Sequence, residues 1–185
     1  MKTEYRLATI EDIPEILALH QKFHISTISE EDKEGGFITA TFSSDDLVHL
    51  IEDFGCISLT IIENKVVGFV FAADWEYWKK LPIFAYMTEH LSENSINDIV
   101  ITAENSYHHG PVCLDKEHRG QGHLSKMFEI SKAEMARKYD ILVTFVNVLN
   151  KPSYVAHKNK LGFDVSKIFK FGDQDYYEIV KYIGL

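Results

Sequence analysis

Apolar and polar positions along this chain follow two periods, one near two and one near three to four. Residues 3–8 (TEYRLA) read as a short strand. Thr9 then caps a helix, with Asp12 three positions on as a capping-box variant. Ile13, Ile16, Leu17, His20 and Phe23 follow at helical spacing, so one face goes to a core. Residues 25–43 are polar, carry a Gly pair and keep no period, which predicts a mobile loop. Ser44 is the expected cap of a second helix, roughly 45–54, ended by Gly55. The β-branched runs 56–62 and 66–73, joined by Glu63-Asn64-Lys65, predict a hairpin.

Residues 74–105 are less regular. Pro82 is placed to start a helix carrying Phe84, Met87 and Leu91; Asn94 to Asp98 read as a loop and Ile99–Thr102 as strand. After that the pattern sharpens. A strand over 111–114 leads through DKEHRGQG into a helix over 123–138, and 141–148 is strongly strand-like. Asn150 caps a helix with Pro152 in its first turn, where a missing N–H costs nothing, and that helix ends at Gly162. The runs 163–171 and 176–183 flank Gly172-Asp173-Gln174-Asp175 as a closing hairpin. Strands interleaved with helices in this order predict an α/β (α+β) fold, a mixed sheet with helices packed on it.

The 185 residues fit a single domain over 1–185, and a composition 45% hydrophobic and 25% charged excludes collagen-like, low-complexity and disordered readings. No apolar run approaches the roughly 20 residues of a bilayer span and no signal peptide opens the sequence, so no membrane partner and a cytoplasmic location are expected. Cys56 and Cys113 lie far apart in apolar stretches without ligand spacing, which predicts packed thiols and no metal. The net charge of −9 argues against a nucleic-acid partner. That charge is unevenly spread: residues 1–110 hold 7 Lys+Arg against 19 Asp+Glu, and 111–185 hold 12 against 9. An acidic first part suits a cationic acceptor and a basic second part tolerates a polyanion, although chance drift of surface charge gives the same pattern.

The candidate chemistry lies at Val112-Cys113-Leu114-Asp115-Lys116-Glu117-His118-Arg119-Gly120-Gln121-Gly122. Here a strand ends, a glycine-bearing loop turns, and a helix begins. Main-chain N–H groups at such a helix start converge on one spot, and the helix dipole favours negative charge there. Gly120 and Gly122 permit unusual backbone angles, and Arg119 adds a planar cation, a combination suited to a pyrophosphate. The run is neither a Walker loop nor a dinucleotide fingerprint, since it lacks GK[ST] and a third glycine. A phosphate-binding α/β protein of another kind and an ordinary tight turn both remain open on these residues alone.

This run resembles the acyl-CoA-binding motif of the GNAT superfamily of N-acyltransferases. Val112-x-Leu114 matches its strand end and Arg119-Gly120-Gln121-Gly122-His123 its loop, with Leu124 where Gly or Ala is usual. The opening RLATIEDIPEILALH is similar to the family's first strand and helix, and 56–73 to its second and third strands. Val146-x-x-x-Asn150-x-x-Ser153 followed by Leu161-Gly162-Phe163 is similar to its late strand–helix unit, with one extra residue between the capping Asn and the Gly-Phe. The resemblance implies a single domain on a mixed, mostly antiparallel sheet, splayed where acyl-CoA enters, with helices on both faces and an insertion at about 74–105.

The resemblance further implies acetyl-CoA as co-substrate and an amine, small-molecule or peptide, as acceptor. Val112, Cys113 and Leu114 would meet the pantetheine arm; Arg119, Gly120, Gln121, Gly122, His123 and Leu124 the pyrophosphate; Asn150 joins them from the late helix. The slot where the family commonly places a Tyr acid holds Lys158, which leaves His157 and then Tyr154 as acid candidates. Glu104, His108 and His109 stand just upstream of the thioester-binding strand as base candidates, but adjacent strand residues face opposite sides and do not converge on one ion. Asp115 and Glu117 read as solvated loop charges. The aromatic residues of 74–105 fit an acceptor pocket, a satellite core or a homodimer contact. A CoA-binding sensor or partner module with reduced catalysis is the alternative to an acetyltransferase.

Overall fold

The computed structural model describes residues 2–33 and 35–184. Its chain forms two compact units, Met1–Ala72 with Gly110–Glu134, and Ala73–His109 with Met135–Leu185.

In the first unit, β1 (Thr3–Leu7) pairs antiparallel with β2 (Gly55–Ile62), from Thr3↔Ile62 to Leu7↔Ser58. β2 turns into β3 (Lys65–Ala73) through Glu63 and Asn64, both left-handed with φ of 49° and 62°. Two successive left-handed residues match the right-handed twist of the flanking strands, so the turn is one residue shorter than expected and Lys65 belongs to the strand. β3 is followed in the sheet by β6 (Ser106–Leu114), and Asp115 N–H donates to Val67 O at 2.8 Å.

Thr9 N–H donates to the Asp12 carboxylate at 2.8 Å, as the capping pattern predicts, and a 3-10 turn over Ile10–Asp12 leads into α1 (Ile13–Lys22). Arg6 holds the same carboxylate with two bonds of 2.7 and 2.8 Å. α1 buries Ile13, Ile16, Leu19 and His20; Leu17 is only half-buried. Within residues 25–33 and 35–43, where the sequence keeps no period, the chain carries α2 (Glu30–Lys33) and a bridge of His24 to Ile38, and buries Ile28, Ile38 and Phe42. Ser43 rather than Ser44 caps α3 (Ser44–His49), accepting from Asp46 N–H at 3.1 Å while the Asp46 carboxylate takes Ser43 N–H at 2.8 Å. α6 (His123–Met135) meets the Gly68 face of β3 through Met127, and Phe42 meets the opposite face through Phe71. Helical and loop segments thus cover both faces.

In the second unit the strand order is β6, β7 (Ile141–Asn147), β9 (Gln174–Tyr182), β8 (Asp164–Phe171). β6 and β7 are parallel, paired from Ser106↔Ile141 to His108↔Val143, whereas β7 continues antiparallel against β9 through Asn147↔Tyr176. The β8–β9 hairpin is antiparallel. Residues 74–105 build α4 (Trp75–Trp78), α5 (Pro82–His90) and a hairpin of β4 (Ser95–Ile96) with β5 (Ile99–Val100). Its turn residues Asn97 and Asp98 are left-handed, which turns the expected loop at 94–98 into a hairpin. α7 (Lys151–Val155) continues as a π turn over Ala156–Lys160, where Leu161 N–H donates to Ala156 O at 3.2 Å. A π turn takes up one residue more than an α turn, which accounts for the longer spacing from Asn150 to Gly162. The fold is a mixed α/β arrangement in which antiparallel pairing predominates. Among the described residues no helix is long and apolar enough to cross a membrane.

Candidate functional site

After Leu114 the chain makes a 3-10 turn over Lys116–His118, which Arg119 N–H closes on Lys116 O at 3.3 Å, and α6 starts at His123. Among the described residues, no protein acceptor meets the main-chain N–H of Gly120, Gln121, Gly122, His123 or Leu124; one turn in, Lys126 N–H returns to Gly122 O at 3.3 Å. A helix start leaves its first N–H groups without intrahelical partners by construction, and the aligned peptide dipoles add partial positive charge there. Gly120 and Gly122 have φ of 78° and 85°, and a Cβ on either would meet nothing within 4 Å. Glycine therefore suits the backbone path at both positions, and the space beside each is open. Five donors without a protein acceptor on a positive helix end can hold a phosphate group.

The side chains around this loop are already engaged. Arg119 Nε donates to Leu114 O at 3.0 Å, Nη1 donates to Gly35 O at 2.9 Å, and the guanidinium lies 5.6 Å from the Phe23 ring centre. Lys116 pairs with Asp32 at 2.8 Å. Asp115 is not a free solvated charge: its carboxylate, 17% exposed, pairs with Lys22 at 2.6 Å. Glu117 is exposed, and its carbonyl accepts from Gln121 Nε2 at 3.1 Å. His123 is buried with Tyr5 hydroxyl 2.8 Å from Nδ1, and burial together with the nearby His118 lowers its basicity. Leu124 and Val112 are half-buried. Cys113 is buried, and burial pushes its thiol pKa up to about 12, as it does for Cys56, so both thiols are inert at neutral pH.

The other candidates lie in the second unit. His108 is 3% exposed among Trp78, Phe84 and Phe145, whose ring centres are 5.2, 4.6 and 5.5 Å away, with Thr144 Oγ1 3.3 Å from Nε2. His109 points to the other side, as strand alternation requires, with its ring 5.5 Å from His157. Burial depresses the pKa of both His109 and His157. His157 Nδ1 donates to Ser153 O at 2.8 Å, which fixes the neutral tautomer with Nε2 as an acceptor. Tyr154 is half-buried with its ring 4.5 Å from Tyr177. Asn150 Oδ1 accepts from Ser153 N–H at 3.2 Å and caps α7. Glu104 is exposed before the start of β6, on a cavity of about 400 Å³ with Asp74, Glu76 and Lys138, and its carboxyl is held low by the Thr102 side chain. Among the described residues no group of three or more His, Cys, Asp or Glu is arranged to hold a metal ion.

Four participants at the loop escaped the sequence reading: Tyr5, Lys22, Asp32 and Gly35. The acidic run from Glu30 opposite the basic 116–119 carried a signal of complementary charge. Tyr5, 118 positions from His123, carried none.

No protein-family model matches the chain, and no curated protein matches its sequence. Solved structures do match over the whole length. An N-acetyltransferase from Staphylococcus aureus Mu50 shares 18% identity, with 99% of both chains covered and a TM-score of 0.63. The acetyltransferase of GNAT family from Streptococcus pneumoniae shares 16%, covering 99% of this chain and 100% of its own, also at 0.63. The yncA protein from Salmonella typhimurium, solved with its cofactor acetyl-CoA, shares 16% over 100% of this chain and 96% of its own, at 0.63. At this identity the likeness is one of fold: the chain has the fold of GNAT acetyltransferases.

Proposed function

We propose that this chain, on its GNAT fold, transfers an acetyl group from acetyl-CoA to the amine of a small-molecule or peptide acceptor. One observation carries the reading: the five consecutive main-chain N–H groups from Gly120 to Leu124 without a protein acceptor, at the start of a 13-residue helix. They receive the pyrophosphate, with Arg119 beside them, and Val112 to Leu114 meet the pantetheine arm.

The acceptor nitrogen attacks the thioester carbonyl. A C–N bond forms, the C–S bond breaks, the ammonium loses a proton and the thiolate gains one. A main-chain N–H at the end of β6 stabilises the oxyanion, a contribution of about 3–4 kcal/mol when preorganised. An amine with a pKa near ~10 must shed its proton first. Glu104, ionised and exposed, takes that proton through water; His108, enclosed by rings, has Thr144 Oγ1 3.3 Å from its Nε2. For the thiolate, Tyr154 is the proton donor through its phenol O–H. His157 in its neutral tautomer offers a lone pair instead.

Calorimetry with acetyl-CoA and CoA tests the reading, with Arg119→Glu as the charge reversal. Binding by the native chain, weakened in the variant, is expected; no binding at millimolar ligand refutes it. A CoA-binding module without turnover is the second reading, favoured by Lys158 in the usual Tyr slot and by the buried His157. Release of free thiol from acetyl-CoA with any member of an amine panel removes it.

A further inference from the structure

Both cations of the candidate phosphate loop are held by one short stretch of the 25–43 segment. Lys116 pairs with Asp32 at 2.8 Å, and Arg119 donates to Gly35 O at 2.9 Å. The contact at Gly35 is close enough that a Cβ there would stand 2.4 Å from Arg119 Nη1. Lys116 holds the Asp32 carboxyl below its usual range, Arg119 acts in the same direction, and Asp32 in turn raises Lys116. The stretch is anchored on either side: Lys22 reaches Asp115 at 2.6 Å, and Ile28 and Ile38 are buried.

We propose that this stretch is a strap which occupies Lys116 and Arg119 through Asp32 and Gly35 until the phosphates of CoA displace it. The proposal rests on the reading of the Gly120–Leu124 loop as the pyrophosphate site and adds its regulation. A carboxylate and a carbonyl oxygen present to the two cations what a phosphate would present, so the strap and the ligand compete for the same donors. Each CoA binding event therefore releases Asp32 and Gly35, and the measured affinity is lower than the loop alone would give. The ion pair is partly exposed, with side chains 56% and 36% accessible, so the competition is modest.

Calorimetry with CoA on the full chain tests this with three variants. Asp32→Asn removes the carboxylate that competes for Lys116. Gly35→Ala carries no charge change and pushes the guanidinium off the strap. Glu31→Gln removes a charge from the same short helix without a contact to either cation, and controls for long-range attraction. Asp32→Asn and Gly35→Ala are each expected to bind CoA about two- to fivefold more tightly than the native chain, the range an exposed pair supports. Glu31→Gln is expected to stay within a factor of about 1.5, as a screened surface charge should. Equal CoA affinity in the native chain, Asp32→Asn and Gly35→Ala overturns the strap and leaves the pyrophosphate site standing. Tightening in Glu31→Gln equal to that in Asp32→Asn, with none in Gly35→Ala, reduces the effect to bulk charge and also overturns it. Failure of all four proteins to bind CoA overturns the site and the strap together.

Discussion

Gly68 offers a direct test of how the strand end is set. It lies in the interior of β3, buried, and a Cβ there would meet Leu114 Cδ1 at 2.7 Å, Cys113 O at 3.2 Å and Met127 Cε at 3.2 Å. Two of these atoms end flexible side chains and can rotate away. The Cys113 oxygen is main chain, so it retreats only if β6 itself shifts by a few tenths of an ångström. Overpacking a tight interior costs about 1–3 kcal/mol, and Gly→Ala returns about 0.4–1 kcal/mol by restricting the unfolded chain. The net for Gly68→Ala is a loss of about 1 kcal/mol, at the low end because only one of three contacts is rigid. Gly68→Val adds two more methyl groups at the same point and is expected to lose about 3 kcal/mol. Urea denaturation at constant m-value reads the stability. Because the displaced atoms belong to Cys113 and Leu114, acetyl-CoA affinity should fall in step, by about fivefold for the alanine variant if most of that 1 kcal/mol is felt at the strand end. An alanine variant as stable as the native chain, with unchanged affinity, refutes the account of Gly68 as the residue that lets β3 approach the site.

Two further outcomes follow from buried ionisable groups. His109 is fully buried and His157 nearly so, and burial keeps both neutral in the folded state. In the unfolded chain they take up protons below the ordinary histidine value near ~6.5, so the folded state loses stability as pH falls through that value, by up to about 1.4 kcal/mol per pH unit for each group. A urea midpoint that stays flat from pH 7.5 to 5.5 contradicts this. Glu178, 1% exposed, accepts from Asn94 Nδ2 at 2.8 Å, and burial raises its pKa despite Lys167 nearby. Its contribution is fully present below the ordinary carboxylate value and is lost as pH rises through the folded one, so Glu178→Gln should raise the urea midpoint at pH 7 relative to the native chain. A lowered midpoint would show that the carboxylate is a net stabiliser there.

What the sequence discloses and what it withholds divides along a physical line. The proposed phosphate cradle is made of main chain, and its ingredients are local: a strand end, two glycines and a helix start within twelve residues, 112–123. Short-range patterning reads such a feature, as it reads the Thr9–Asp12 cap and the Asn150 cap. The opposite facing of His108 and His109 is equally local, since it needs only the alternation of a strand. The occupants of the cradle's edge are another matter. Asp32 and Lys116 are 84 positions apart, as are Gly35 and Arg119, and the charge contrast between the two halves of the chain marked their complementarity without pairing them.

The same line runs through the catalytic candidates. Their protonation depends on long-range enclosure: His108 is sealed by rings from an insertion whose helix α4 left no clear period, and His157 is buried by a π turn that an i, i+4 pattern does not foresee. The extra residue between Asn150 and Gly162 was visible in the sequence, but a count of residues does not say which turn absorbs it. Leu161 N–H reaching Ala156 O does, and it sets the rotation of His157 relative to Tyr154 on that helix. Deleting one residue within 156–160 should therefore restore an α turn and leave the following segment in its register, because the π turn is what absorbs that residue. A site that binds through its backbone thus stays legible from the chain, whereas one that catalyses through side chains depends on the register of every element that carries them.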